Sequence, residues 1–305
     1  MPVKTKKSKL KYIIENKALY FFLLPGILYI IVFKIIPMTG ILFAFTEINT
    51  FDIFKSEWVG LKNFQMLFSG TEFYNVLKNS VTLSLMSLIF GFPAPIILAL
   101  FINEVKLKRY KRITQTIMYL PHFISWVVIA GLVMNFLSPT GGIFNKIITM
   151  MGKEPVYFLQ EAAYFRPIII LSQIWKETGW GTVIYLAAIS SIDSEIYEAA
   201  TVDGAGRLLQ MIKITLPSIV STIVVMLILR CGHILSNGFE QVFLLSNTLN
   251  QSVSQVFETY TYEIGIRSGR FSYATAVGMF QSIVGLLLVL LTNFLSRKFN
   301  EQSIW

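Results

Sequence analysis

Apolar residues run through the chain in six long blocks, separated by polar or charged stretches, at 18–38, 80–103, 113–137, 167–190, 218–238 and 271–296. A helix of about 20 apolar residues crosses the hydrocarbon core of a bilayer, so the pattern predicts six membrane-spanning helices. Pro25, Pro93 and Pro95 lie inside predicted spans, where packed membrane helices tolerate a kink. In the first connecting loop Phe64, Leu67 and Phe68 recur at i, i+3 and i+4. They form one face of a short helix that either lies on the membrane interface or packs onto the protein.

The fourth and fifth blocks are parted by a polar island at 191–217. Asp193 or Ser194 is placed to cap a helix running to Val202, because a side-chain oxygen there accepts a free N–H of the first turn. Gly204 and Gly206 break that helix, glycine being at ease in the left-handed conformation of a helix stop. A second helix is expected over 207–215, with Leu208, Met211, Ile212 and Thr215 in one stripe and Asp203 as its cap. Pro217 then opens the next span, where its missing N–H does no harm.

Composition agrees with the pattern. Hydrophobic residues make up 54% and charged residues 14% of the 305, against ~25% charged in soluble domains. The expected class is therefore an all-α polytopic membrane protein. A single cysteine, Cys231, leaves no internal disulfide, and two histidines, His122 and His233, leave no metal cluster. There is no Gly-x4-Gly-Lys-Ser/Thr phosphate loop, so any ATP and its magnesium are bound by another chain. The net charge of +9 sits beside the spans; the run Lys108 to Arg112 reads as a topology and lipid-headgroup element and not as a nucleic-acid site.

Charge also sets the expected orientation. With the N-terminus inside, the cytoplasmic segments carry fifteen Lys and Arg and the outer loops eight. The bias places both termini and the 191–217 loop in the cytoplasm. The first block continues past the length of a signal-peptide core and shows no small-residue cleavage site, which predicts a retained anchor. The expected organisation is a basic cytoplasmic tail at 1–17, a six-helix domain at 18–298 and a cytoplasmic tail at 299–305.

Polar residues inside the spans are the candidates for chemistry, since a charge near mid-bilayer costs several kcal/mol and is usually turned toward protein or water. Arg230 lies 13 residues past Pro217, ~19 Å along a helix. On a continuous helix Arg230, His233, Asn237 and Glu240 share an arc of about 80°, and Gln173, Glu177 and Trp180 share another in the fourth span. Such stripes suit a path for a hydroxyl-rich solute, with fixed donors and acceptors and an aromatic face. The alternative is structural: Arg230 and Glu177 paired with each other and His233 as a helix-contact donor.

The island carries a family resemblance. Glu198-Ala199-Ala200, Gly204, Ile214, Leu216 and Pro217 stand at the spacings of the EAA loop of binding-protein-dependent ABC importer permeases. The resemblance implies that this loop is a coupling helix seated in a groove of an ATPase subunit, Glu198 accepting a bond from a basic residue there. Gly60-Leu61-Lys62-Asn63-Phe64 and Leu120-Pro121-His122-Phe123-Ile124-Ser125-Trp126 extend the similarity to sugar-type, maltose-class permeases. Gly238-Phe239-Glu240-Gln241 and the terminal Phe299 to Trp305 look most like their complex-polysaccharide branch.

In that class the helices flanking the loop bind substrate, near Glu177, Trp180, Arg230, His233 and Asn237 here. Implied partners are a second, different permease chain, two ATPase subunits, an extracytoplasmic solute-binding protein, an oligosaccharide and membrane lipid. The charged residues depart from the neutral positions of the class, and an arginine favours an anionic sugar while Glu177 opposes it. A non-sugar importer, a secondary carrier or a polytopic membrane enzyme are the competing readings. The chain shows neither the internal repeat of many carriers nor the clustered carboxylates of a membrane enzyme.

Overall fold

The computed structural model describes residues 16–48 and 56–300, the side chains of 299 and 300 excepted; most of the expected N-terminal tail and the last residues of the C-terminal one lie outside them. Helices dominate. Three are long and apolar enough to cross a membrane alone: α1 (Lys17–Phe45), α3 (Thr71–Asn103) and a last helix, α14 (Phe271–Asn300). Between α1 and α3, the two-residue strands β1 (Thr46–Glu47) and β2 (Glu57–Trp58) pair antiparallel, a small exception to an all-helical chain. After them comes α2 (Lys62–Ser69).

Two of the three residues of the expected face of α2 turn inward, while Phe68 stays about half exposed beside Phe73 and Phe280. Leu67 is fully buried in a core with Phe73, Phe257 and Val277, and Phe64 packs on Phe45 with ring centroids 5.4 Å apart. Asn63 donates to the carbonyls of Ala44 and Thr46 at 3.0 and 3.1 Å, tying the helix to the end of α1. It is a packed surface helix.

One expected span is bent in its middle, and another is entered through a bend. In place of one helix over 113–137 there are α4 (Lys108–Phe123) and α5 (Trp126–Leu137), meeting at 98°. Pro121 has no N–H to continue the ladder, and Ser125 starts afresh as the cap of α5, accepting from Val128 N–H at 3.4 Å. After α5 come α6 (Ile143–Met150) and α7 (Ala162–Ser190), a 29-residue helix about 44 Å long. It has the length of a span but not the hydropathy, because Gln173, Lys176 and Glu177 stand at its middle.

The island folds as α8 (Ser194–Val202) and α9 (Arg207–Ser218), followed by α10 (Val220–Gly232) at 58° to α9. Four shorter elements complete the order: α11 (Phe239–Leu245), α12 (Gln251–Ser254), α13 (Phe257–Tyr262) and a π turn, Glu263–Arg267, leading to α14.

Small residues let the helices approach closely, as membrane helices require when lipid gives no hydrophobic drive for their association. α7 runs along the Pro93–Asn103 half of α3, where Gly181 meets Pro95, and Gly179 lies against the Met118 backbone of α4. α10 crosses α14 at Gly232 and Gly285. A Cβ at Gly179 would fall 1.8 Å from the Met118 carbonyl oxygen, whereas one at Gly131 meets nothing within 4 Å. We expect Gly179→Ala to lower the melting temperature of the detergent-solubilised protein, by the equivalent of about 1–3 kcal/mol or more. Gly131→Ala should leave it unchanged in the same thermal-shift assay.

Candidate functional site

Lys176, the middle residue of α7, is only 5% exposed. Its ammonium donates to the carbonyls of Ile124 at 2.6 Å and His122 at 2.7 Å, and reaches that of Pro121 at 3.5 Å. These carbonyls end α4; that of Pro121 also accepts the Ile124 N–H at 3.1 Å, whereas those of His122 and Ile124 have no partner within the helix, as is usual for its last carbonyls. The cation meets both those orphan acceptors and the negative end of the helix dipole. It also lies 5.4 Å from the Trp126 ring centre, at the start of α5.

The same turn of α7 orients an aromatic platform. Glu177 Oε2 is 2.8 Å from His122 Nδ1, and its other oxygen is 3.9 Å from Lys176 Nζ. Trp180 stacks flat on His122, centroids 4.8 Å apart and planes within 4°, and Phe123 meets Trp180 edge-on at 5.8 Å. Glu177 therefore fixes the imidazole against which the indole rests. No ion pair joins Glu177 to Arg230 among the described residues, so the structural alternative for that pair does not hold. Arg230 instead donates to Ser87 Oγ at 2.6 Å, and Ser87 donates to Gln173 Oε1 at 3.1 Å.

The fifth expected span stops early. α10 ends at Gly232, and residues 233–238 leave the helix before Gly238, at φ +79°, starts α11. The assumption of one continuous stripe through Glu240 fails there. The freed backbone is met by side chains from three directions: Ser84 donates to the Ile234 carbonyl, Gln281 to that of Leu235 at 2.9 Å, and Glu258 accepts the Asn237 N–H at 2.9 Å. Irregular backbone within a membrane protein is tolerated where protein buries it or a cavity adjoins it, and both hold here.

That cavity encloses about 570 Å³. Gln173, Glu177, Trp180, Arg230, His233 and Asn237 all line it, the last two brought there by unwound chain. Glu240 does not; it begins α11 and is exposed. Ser87, Trp126, Tyr185 and Gln241 also line the wall and were missed from sequence. Ser87 and Gly91 arrive through a π turn of α3, closed by Phe92 N–H to Ser87 at 3.0 Å just ahead of Pro93. No periodicity in the sequence marks such a turn.

The island lies at the C-terminal end of α7. Asp193 caps α8, accepting from Glu195 N–H at 3.0 Å. Ala205 N–H returns to the Ala200 carbonyl at 2.8 Å and Gly204 N–H to that of Thr201 at 3.1 Å, the paired bonds of a Schellman stop, with Gly204 at φ +81°. Asp203 closes α8, and Gly206 is the N-cap of α9, so Asp203 does not cap the second helix as expected. Gln210 Nε2 ties the two helices together through Thr201 Oγ1 and the Ala205 carbonyl, each at 2.9 Å.

The expected stripe on α9 divides. Met211 and Leu216 pack against the core of α3 and α7, and Thr215 is buried with its hydroxyl 2.9 Å from that of Tyr197. Leu208, at 66% exposed, Ile212 and, on α8, Val202 at 88% face outward. Glu198 and Ala199 are exposed beside them, with Ala200 half-buried; Ile214 is half-buried, and Pro217 is exposed within the turn that ends α9.

Residues 91–301 match the family model described as binding-protein-dependent transport system inner membrane component. Two Bacillus subtilis (strain 168) relatives span nearly the whole chain. The polygalacturonan/rhamnogalacturonan transport system permease protein YteP is 48% identical over 98% of this chain and 94% of its own length. Protein LplB is 47% identical over 95% and 92%. Among solved structures, one chain of a bacterial ABC transporter involved in the import of the acidic polysaccharide alginate has a TM-score of 0.89. It is 46% identical and covers 95% of this chain and 99% of that one. A chain of the alginate transporter in complex with an alginate pentasaccharide-bound periplasmic protein matches with the same score at 44% identity. The chain belongs to the family of binding-protein-dependent transport system inner membrane components.

Proposed function

We propose that this chain forms half of the transmembrane path of an ABC importer for an acidic oligosaccharide. The observation that carries the reading is the composition of the cavity wall: Trp180, held flat on His122, faces the same space as the Arg230 guanidinium, which bonds a neutral hydroxyl. A pyranose ring packs its apolar face on the indole, and Gln173 and Asn237 supply donors and acceptors for hydroxyls. Arg230 has donors left for a uronate carboxylate, since guanidinium carries five. Glu177, engaged by His122 and Lys176, does not cancel it. The relatives named for a polygalacturonan and for alginate both handle acidic polymers, which supports the same class.

Transport by this chain requires partners. A solute-binding protein delivers the sugar, and two ATPase subunits bind ATP; a second permease chain supplies the other wall. α8 and α9 form the coupling element, its exposed Val202, Leu208 and Ile212 entering the ATPase groove while Glu198 accepts from a basic residue there. α7, the bent pair α4 and α5, and α10 join the three apolar helices to make six spans, with both termini, α8 and α9 in the cytoplasm and the basic start of α4 against lipid headgroups.

Uptake of labelled uronate and neutral oligosaccharides by cells carrying the whole system tests both halves of the reading. Glu198→Ala should bring all uptake close to background with the amount of chain in the membrane unchanged. Arg230→Gln should lower uptake of the uronate sugar about tenfold and leave the neutral sugar within twofold. Equal loss of both sugars would remove Arg230 from substrate recognition. A separate readout addresses the docking face: Val202→Asp should abolish co-purification of the ATPase subunits, and their retention would displace the contact from α8.

A further inference from the structure

A second pocket, of about 280 Å³, lies at the other end of α11 from the cavity. Gly238 and Gln241, at the start of α11, line the inner cavity, while Phe243 and Ser246, at its far end, line the second pocket. The whole of α11 is seven residues, about 10 Å of rise, so the two pockets adjoin along it. The second pocket belongs to the end of the molecule away from α8 and α9, since Asn247 and Asn250 there bond the Leu159 carbonyl just ahead of α7, at 2.8 and 2.9 Å.

Its chemistry repeats that of the inner wall. Phe243 and Tyr262 form an aromatic corner, ring centroids 5.4 Å apart and planes at 75°. Gln251 and Gln255 line the same space, and no hydrogen bond engages their side-chain amides among the described residues. Arg267 pairs with Glu263 at 3.7 Å in the i,i+4 geometry, both side chains open to solvent, so the guanidinium is held loosely. A protein partner anchors itself with buried apolar and aromatic side chains. Unused amides, a ring face and a solvent-exposed cation beside a concave space suit a sugar ring with a carboxylate better.

We propose that this pocket is an outer subsite for the same acidic oligosaccharide, one end of the sugar lying on Phe243 and Tyr262 while the other reaches the inner cavity along α11. The inference rests on the reading of the inner cavity given above and extends it: the chain grips its substrate at two places, so the outer grip matters only to sugars long enough to reach it. The Gln251 and Gln255 amides meet hydroxyls, and Arg267 leaves Glu263 for the uronate carboxylate.

The test uses the assembled transporter in proteoliposomes with its binding protein, and a ladder of oligogalacturonides from the disaccharide to the pentasaccharide as probes. Gln251→Ala with Gln255→Ala, and separately Arg267→Gln, should reduce pentasaccharide uptake about tenfold and leave disaccharide uptake within twofold, the defect growing with length. An equal defect at every length, with weaker capture of the loaded binding protein, would make the pocket a protein-docking surface and overturn the proposal. No defect at any length would make it a solvated surface and overturn it too. Trp180→Ala reads the inner cavity separately: it should depress every length, and if it depresses none, the inner reading fails whatever the outer variants show.

Discussion

A buried ammonium in the middle of a long helix is the constraint on which the site depends. A lysine so placed costs several kcal/mol unless its three donors are used. Lys176 spends them on the carbonyls of Pro121, His122 and Ile124, and only a helix that stops there can offer them. The break between α4 and α5 and the charge on α7 therefore require one another. Gly179 allows the approach by bringing α7 onto the Met118 backbone, one turn before the break.

From that clamp the cavity wall follows. Holding the 121–124 turn against α7 delivers His122 to Glu177 and places Trp180 on the imidazole. Across the cavity the second interruption, at 233–238, is held by Ser84, Glu258 and Gln281. The unwound stretch borders the cavity directly through His233, Ser236 and Asn237, whereas the 121–124 turn reaches it only through Trp180, which stacks on His122, and through Trp126 just beyond it.

The sequence made some of this legible. Asp193, Gly204 and the polar flanks of the island gave its two-helix form, because caps and glycine stops are local signals, and the fourth and sixth apolar blocks appear as single long helices. The residues Gln173, Glu177, Trp180 and Arg230 were also readable, since charge within an apolar block stands out. What local pattern could not show was where helices stop in mid-block. The wheel through Glu240 assumed unbroken geometry, yet the close crossing of Gly232 and Gly285 and the left-handed Gly238 end it. Lys176 was passed over because its partners are backbone carbonyls 52 to 55 residues away, which leave no side-chain signature. His122 was read only as part of the Leu120 to Trp126 resemblance and as one of two histidines without a metal cluster; its contacts come from the turn that Lys176 holds.

The most direct measurement is a density map of the assembled importer, in nanodiscs, with an oligogalacturonide trapped inside it. The account predicts a sugar ring lying on the Trp180 indole, with a uronate carboxylate at hydrogen-bond distance from Arg230 and Lys176 still closing the 121–124 turn. A sugar held elsewhere in the membrane domain, with Arg230 bonded to protein alone, would contradict it.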